Sequence, residues 1–250
     1  MNRVFVGTSG WIYKEWGGFF YPHELQEDHL EFYAKRFNSV EINASFYRLP
    51  TPDMVRAWYR RTPSDFRFAV KGSRFITHLK RLKVERGSIK VFFDRARLLK
   101  EKCGPILWQL PPTLEFDPER LDLFLKTVPT RFRHAVEFRH ASWYEHGDTY
   151  EILHKHHTAH VWLSSQRMPM NLTSTTDFVY IRFHGLEGGA AHDYTAEELK
   201  PWAEQCRRCI SADMEVHAYF NNDVNTRAPG NAQMLRDMIV KGKAVRRRVA

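Results

Sequence analysis

The chain has 250 residues, 43% of them hydrophobic, and a formal net charge of +9 at pH 7. No apolar run approaches the ~18 residues of a membrane span, and the first residues lack a signal peptide's apolar core, so we expect a cytoplasmic protein without membrane contact. The length suits one large domain or two small ones, and the basic balance favours partners that carry negative charge.

Short β-branched and aromatic runs, which are typical of buried strands, recur eight times along the chain. They are VFVGTS (4–9), SVEINA (39–44), FRFAVK (66–71), PILWQL (105–110), AVEFRH (135–140), HVWLSS (160–165), FVYIRFHG (178–185) and EVHAYFNN (215–222). Their regular spacing predicts eight strands of one sheet.

Helical patterns fill most of the intervals between these runs. They span 28–37, 51–61, 88–101, 117–128, 147–157, 195–210 and 231–240. Helix start signals support several of them, because Thr51 precedes Pro52 and Thr195 stands three residues before Glu198. The link at 166–177 shows no helical pattern.

Strand followed by helix, repeated about eight times, predicts an α/β fold: a single TIM-like (β/α)8 barrel over 1–240 with irregular or missing helices. A doubly wound open sheet is the main alternative, although it usually has fewer strands. The last ten residues, 241–250, contain five Lys or Arg and are predicted to form a basic C-terminal tail. This tail is either a solvated chain end or a contact for nucleic acid.

In such a barrel, alternate strand residues face the surrounding helices and the barrel axis. The helix-facing positions are apolar, as Val136 and Phe138 show, whereas the axis-facing positions at the strand C-terminal ends are polar. The axis-facing set is Glu41, Asn43, Lys71, Gln109, Glu137, Arg139, Arg182, His184 and Asn221. Because burying unpaired charge is costly, this set predicts either an ion-pair network that closes the barrel mouth or a functional site.

The residue types in this set predict particular roles. Paired carboxylates are suited to acid–base chemistry, so Glu41 or Glu137 is the predicted general base and His184 the partner acid. Lys71, Arg139 and Arg182 are predicted to clamp a phosphate or carboxylate. The other predicted substrate-binding residues are Asn43, Gln109, Asn221, Asn222 and Asp223, and the predicted aromatic walls of the pocket are Trp11 and Tyr13.

The three cations of the set disfavour a metal cluster, because a divalent ion needs several carboxylate or imidazole ligands and little competing positive charge. We therefore assign no metal ligands, and the sequence implies no cofactor. A single divalent metal, held by Glu137, His184 and a third ligand, remains an open alternative.

Seven long motifs occur along the chain in a fixed order. They are GTSGWIYKEWGGFFYP (7–22), EINASFYRLP (41–50), FAVKGSRFITHLKRL (68–82), ILWQLPP (106–112), AVEFRHASW (135–143), YIRFHG (180–185) and YFNND (219–223). Together they resemble the YecE-like family, the barrel proteins of domain of unknown function 72. The resemblance implies a TIM-like barrel with a polar pocket at the strand C-terminal ends and no defined reaction. It also implies an Asp at the end of the sixth strand, where this chain has Ser164 and Ser165.

Three functions remain open. The leading hypothesis is an enzyme that acts on an anionic, phosphorylated or sugar-like small molecule, as a hydrolase, lyase or isomerase using general acid and base catalysis. The second is a barrel that binds or processes nucleic acid through the basic tail, the 74–83 segment and the first-loop aromatic residues. The third is a non-catalytic scaffold in which the buried charges only hold one another.

Overall fold

A computed structural model describes residues 3–246, and eight parallel strands form its centre. The strands are β1 (Val4–Thr8), β2 (Ser39–Ile42), β3 (Arg67–Lys71), β4 (Cys103–Gln109), β5 (His134–Glu137), β6 (Thr158–Ser165), β7 (Phe178–Gly185) and β8 (Glu215–Phe220). They are hydrogen-bonded in the order β1-β8-β7-β6-β5-β4-β3-β2. This arrangement confirms the predicted single TIM-like barrel.

Helices occupy most connections between the strands. They are α1 (His29–Ala34), α2 (Ala44–Tyr47), α3 (Pro52–Arg60), α4 (Arg86–Ala96), α5 (Pro118–Thr127), α6 (Asp148–Lys155), α7 (Ala196–Ser211) and α8 (Arg227–Arg246). The predicted start signals are used, since Thr51 caps α3 and Thr195 forms a capping box with Glu198 in α7. The described link at 166–177 contains no helix, as predicted.

The last helix differs from its predicted extent of 231–240. It begins earlier, at Arg227, and the first turn contains Pro229, a position at which proline is tolerated. It also continues to Arg246, so the first six residues of the predicted 241–250 tail extend the helix, and the final four lie outside the described residues. No helix among residues 3–246 is long and apolar enough to cross a bilayer.

The strands separate two apolar layers with the predicted alternation. Residues such as Val136 and Ile181 face the layer that includes Leu121 of α5, whereas Ala135 and Tyr180 belong to a second cluster inside the barrel. The axis-facing positions therefore continue into the polar residues at the strand C-terminal ends. This pattern places the predicted polar set at one end of the barrel.

The barrel closes between β1 and β2 with little strand ladder. A backbone hydrogen bond from Gly10 N to Glu41 O at 2.8 Å joins the ends of the two strands, and the Asn38 side chain bonds the β1 backbone through both its oxygen and its nitrogen. A Cβ at Gly7 would lie 2.0 Å from Ser39 O, so this close approach requires glycine. This closure between β1 and β2 places Glu41 against the end of β1 at the mouth.

Candidate functional site at the barrel mouth

Three buried charges form the floor of the mouth. Arg182 of β7 donates from Nη2 to Glu41 Oε2 at 2.7 Å and from Nη1 to Glu137 Oε2 at 2.6 Å, and all three side chains are at most 1% exposed. The other Glu41 oxygen accepts a hydrogen bond from the Tyr180 hydroxyl at 2.7 Å, and the Ser9 hydroxyl donates to Oε2. An internal ion-pair network, one of the two alternatives of the sequence analysis, is therefore present, and these three charges form its buried part.

The floor carboxylates stay ionised because cations surround them. Burial would raise the pKa of Glu41, but the charges of Arg182 and Lys71 outweigh it and lower that pKa. Burial likewise opposes the charges of Arg139 and Arg182 at Glu137, whose pKa ends well below its ordinary value. A carboxylate so stabilised as an anion is a weak base at neutral pH, which argues against the predicted general-base role for either residue.

Arg139 and His184 lie above this floor. Arg139 donates from Nε to Glu137 and from Nη2 to His184 Nε2, the latter at 2.8 Å, while His184 Nδ1 lies 3.2 Å from the Asn221 amide nitrogen. Their side chains remain 20% and 10% exposed. Burial and the Arg182 charge lower the pKa of His184 to about 4, so its ring is neutral at pH 7.

Lys71 at the end of β3 differs from the other cations of the mouth. It is 9% exposed, and its Nζ lies 4.4 Å from the centroid of the Phe46 ring. Among the described side chains this amine makes neither a hydrogen bond nor an ion pair, and it packs against the Phe46 ring. Burial and the Arg182 charge outweigh the attraction of Glu41 and Glu137 and lower the pKa of Lys71 to about 8.

Gln109 and Asp223 are two further predicted residues that the structure places in or beside the mouth. Gln109 Oε1 lies 3.4 Å from Arg182 Nη1, and Asp223 accepts a hydrogen bond from Trp16 Nε1 at 2.8 Å. Burial raises the pKa of Asp223 to about 6. Asp223 therefore titrates closer to neutrality than an ordinary carboxyl group.

Asn43 and Tyr13 lie at the edge of the same mouth. The buried Oδ1 of Asn43 has no hydrogen-bond partner among the described residues. Burial, Asp223 and Glu41 raise the pKa of Tyr13, and its ring packs on Trp16 with centroids 5.0 Å apart. Tyr13 therefore lies beside the charged floor, and its role as a wall of the pocket stays a prediction.

Two predicted residues are not brought to the mouth. Asn222 follows Asn221 and so points to the opposite face of the strand, where its amide donates to Asn231 of α8 at 2.7 Å. Trp11 is buried in the core against Trp58 of α3, with ring centroids 5.3 Å apart and planes perpendicular. Both residues therefore stabilise the packing of helices on the barrel instead of lining the site, which corrects the substrate-binding and pocket-wall predictions for them.

The structure adds His78, which the sequence analysis did not assign. It lies on a single π-helical turn, Phe75–Leu79, within the 74–83 segment, and its ring packs edge-on against Phe46 with centroids 5.0 Å apart. Burial and the charges of Lys71 and Arg74 lower the pKa of His78. The helical spacing of apolar residues in this segment concealed it, although the segment follows a barrel strand, and such loops commonly contribute to sites.

No three His, Cys, Asp or Glu side chains among residues 3–246 are grouped so that they could hold a metal ion. Glu137 and His184 are adjacent, at 3.5 Å, but Arg139 contacts both of them. The single-metal alternative thus lacks its third ligand within the described part of the chain.

The fold and this site together define a TIM-like barrel whose polar mouth, at the strand C-terminal ends, carries paired carboxylates and an excess of cations. The chain belongs to the family described as Protein of unknown function DUF72, which matches residues 5–249 and confirms the resemblance stated above. At the sixth strand, where an Asp was expected, Ser164 is buried and hydrogen-bonded to the Tyr194 hydroxyl at 2.7 Å.

Relatives of known sequence and structure agree with this assignment. "UPF0759 protein YecE" of Escherichia coli K12 is 33% identical over 137 residues, which cover 54% of this chain and 47% of that protein, so the match spans about half of each. "UPF0759 protein YunF" of Bacillus subtilis is 23% identical over 94% of both chains.

Solved structures of the same family share the barrel. A DUF72 family protein from Thermotoga maritima superposes with a TM-score of 0.84 at 29% identity, over 96% of this chain and all of that one (100%). A DUF72 family protein from Enterococcus faecalis gives 0.80 at 20% identity, over 96% and 98% of the two chains, and shows the fold alone. None of these names states a reaction, so a function must be argued from the site itself.

Proposed function

We propose that this protein is an enzyme that binds an anionic, phosphorylated or sugar-like small molecule at the mouth of the barrel. The observation that carries the proposal is an uncompensated positive charge. Around the floor, three cations, Lys71, Arg139 and Arg182, converge on two carboxylates, Glu41 and Glu137, which leaves an excess of one positive charge there, while the Asp223 carboxyl group lies beside the floor against Trp16. A bound anion would balance that excess.

In this proposal the buried residues of the site and the partly exposed residues above them have different roles. The buried floor holds Arg182 rigidly between two carboxylates, so it sets the shape and the potential of the mouth. Arg139 and His184 are partly exposed, so Arg139 can offer a positive charge and hydrogen bonds to a ligand above them, and the neutral His184 ring can offer a hydrogen bond. Lys71 gains an electrostatic partner when the anion arrives, which compensates for its burial.

Acid–base chemistry is best supplied by groups that titrate near neutral pH. Two groups of the mouth meet this condition, Lys71 with a pKa of about 8 and Asp223 with a pKa of about 6. In the proposal they replace Glu41 and Glu137 as proton-transferring groups. The reaction class stays that of a hydrolase, lyase or isomerase.

A ligand panel in thermal unfolding tests the proposal. It compares phosphorylated sugars with the matching neutral sugars, on the wild type, on Lys71→Met, and on the control Lys90→Met, whose side chain is exposed on α4. A phosphorylated ligand at a hundred times its Kd should stabilise the wild type by about 2.7 kcal/mol. We expect the stabilisation to disappear in Lys71→Met and to persist in Lys90→Met. Equal stabilisation by neutral sugars, or indifference to Lys71→Met, would refute the anion site.

A second candidate, nucleic-acid binding, is supported by the surface beside the mouth. Phe75 and Tyr47 are exposed aromatic residues (42% and 82%), and the exposed cations Arg74 and Lys80 lie on the same turn as Phe75. Stacking and charge of this kind are suited to single strands. Binding of a short oligonucleotide that weakens steeply with salt and is lost in the double variant Arg74→Ser, Lys80→Ser would favour this function.

If no ligand of either class binds, the scaffold alternative remains.

A further inference from the structure

The surroundings of Lys71 resemble those of a reactive amine more than those of a structural one. Its Nζ lies over the Phe46 ring at 4.4 Å, under a mouth that contains Arg139 and Arg182, and no described oxygen accepts a hydrogen bond from it. A buried ammonium group of this kind is destabilised relative to the neutral amine, because burial and neighbouring cations both act against the charged form.

Lys102 is the informative comparison within the same chain. It is also buried, but its Nζ donates hydrogen bonds to Tyr59 O and Thr62 O, both at 2.6 Å, and to Thr62 Oγ1 at 3.2 Å. All three ammonium hydrogens are therefore used to tie the end of α3 to the segment before β4. Lys71 is also a buried lysine, but its Nζ donates no hydrogen bond to a described residue.

We propose that Lys71 is a nucleophile that forms an imine with the carbonyl carbon of an anionic aldehyde or ketone, which names the substrate class of the proposed function and rests on it. The anion-binding groups Arg139 and His184 would hold the charged end of the substrate, and Lys71 would meet its carbonyl group. Amines that are desolvated beside other cations are the ones that act in this way.

The step balances without any redox partner. The neutral Nζ attacks the carbonyl carbon, and one amine proton passes to the carbonyl oxygen to give a carbinolamine. The carbinolamine oxygen then takes a second proton, which comes from solvent, and leaves as water with the electrons of the C–O bond. The nitrogen lone pair forms the C=N bond, and the product is a protonated imine between Nζ and the former carbonyl carbon. His78 packs on the same Phe46 ring as Lys71 and is the proton carrier in this scheme.

Reductive trapping tests the proposal on the intact protein. Glyoxylate, an anionic aldehyde, is added at pH 7 with cyanoborohydride, which donates hydride to the imine, and labelled lysines are located by peptide mass spectrometry. A lysine with a pKa of about 8 is neutral in roughly a tenth of molecules at pH 7, far more often than an ordinary lysine. We expect Lys71 to be labelled at least about tenfold faster than Lys102 or the exposed Lys200, and faster with glyoxylate than with neutral acetaldehyde.

The outcomes separate this proposal from the proposed function. Lys71→Arg cannot form the imine, so the fast label should disappear from the digest and should not move to another lysine. Labelling of Lys71 at or below the rate of Lys102, in protein that anions still stabilise, overturns the nucleophile and leaves the anion site standing. Absence of both the label and the stabilisation overturns both. A labelling rate unchanged in His78→Gln would remove His78 from the step.

Discussion

Arg182 and Lys71 are two buried cations at the same barrel mouth, and they differ in the carboxylate partners that surround them. Arg182 lies between Glu41 and Glu137 at 2.7 and 2.6 Å, whereas Lys71 has a phenyl ring and no carboxylate within ion-pair distance in the described chain. The burial of the first charge is compensated within the fold. The burial of the second is not, and an uncompensated charge is where a ligand is expected to bind.

The largest expected effect comes from breaking the compensated region. Arg182→Met leaves Glu41 buried without its ion-pair partner and Glu137 with Arg139 alone, so we expect it to lower the free energy of unfolding by about 3–5 kcal/mol in urea denaturation. The control Arg56→Met removes an exposed partner of Asp53 and should change stability by about 0.5 kcal/mol or less. A change as small for Arg182→Met as for the control would mean that the floor network does not hold the mouth together.

Glu137→Gln should have the next largest effect, about 2–3 kcal/mol at pH 7, since Arg182 then keeps one carboxylate. The folded-state pKa of Glu137 lies well below its ordinary value of 4.5, so its contribution is complete above that value and is lost as pH falls further. Denaturation curves below pH 4.5 should therefore show the wild type losing more stability than Glu137→Gln. Parallel losses in the two proteins would contradict this account of the floor.

Lys71→Met should act in the opposite direction and stabilise the protein by about 2 kcal/mol at pH 7, because it removes an uncompensated charge. The folded-state pKa of about 8 lies below the ordinary 10.5, so the unfolded chain binds more protons between these values. The wild type should accordingly gain stability from pH 8 to 10.5 relative to the variant. A loss of stability in Lys71→Met would contradict this account, because it would mean that the Lys71 amine has a stabilising partner in the folded protein.

The smallest expected effect is that of Tyr180→Phe. It removes one hydrogen bond to Glu41 but leaves the Arg182 and Ser9 contacts of that carboxylate, so about 1 kcal/mol of stability should be lost. Urea denaturation of this variant beside Glu137→Gln ranks the hydrogen bond against the ion pair. A loss larger than that of Glu137→Gln would reverse the ranking.

Much of this architecture follows from the sequence because it depends on local periodicity. The alternation of Val136 and Phe138 with Glu137 and Arg139 determines which side chains enter the mouth, and the structure confirms it. The same argument, applied consistently, would have left Asn222 out of the predicted mouth residues. Asn222 is adjacent to Asn221 in the chain, so its side chain faces the opposite side.

The ion pairs within the mouth join residues that are far apart in the sequence, so local periodicity could not predict them. Glu41, Glu137 and Arg182 come from three strands, and which carboxylate reaches which cation depends on the barrel's geometry. The isolation of Lys71 depends on the same geometry. The position of Trp11 in the core was missed for a related reason, because its partner Trp58 lies on a distant helix.

The measurement that tests the central claim most directly is an NMR titration of Lys71 in the intact protein, followed at Nζ and assigned by comparison with Lys71→Arg. The account predicts a pKa near 8 for the free protein and a higher pKa when a phosphorylated sugar is bound, because the anion stabilises the ammonium form. A pKa near 10.5 that does not respond to the anion would contradict the account, since Lys71 would then be an ordinary, solvated lysine.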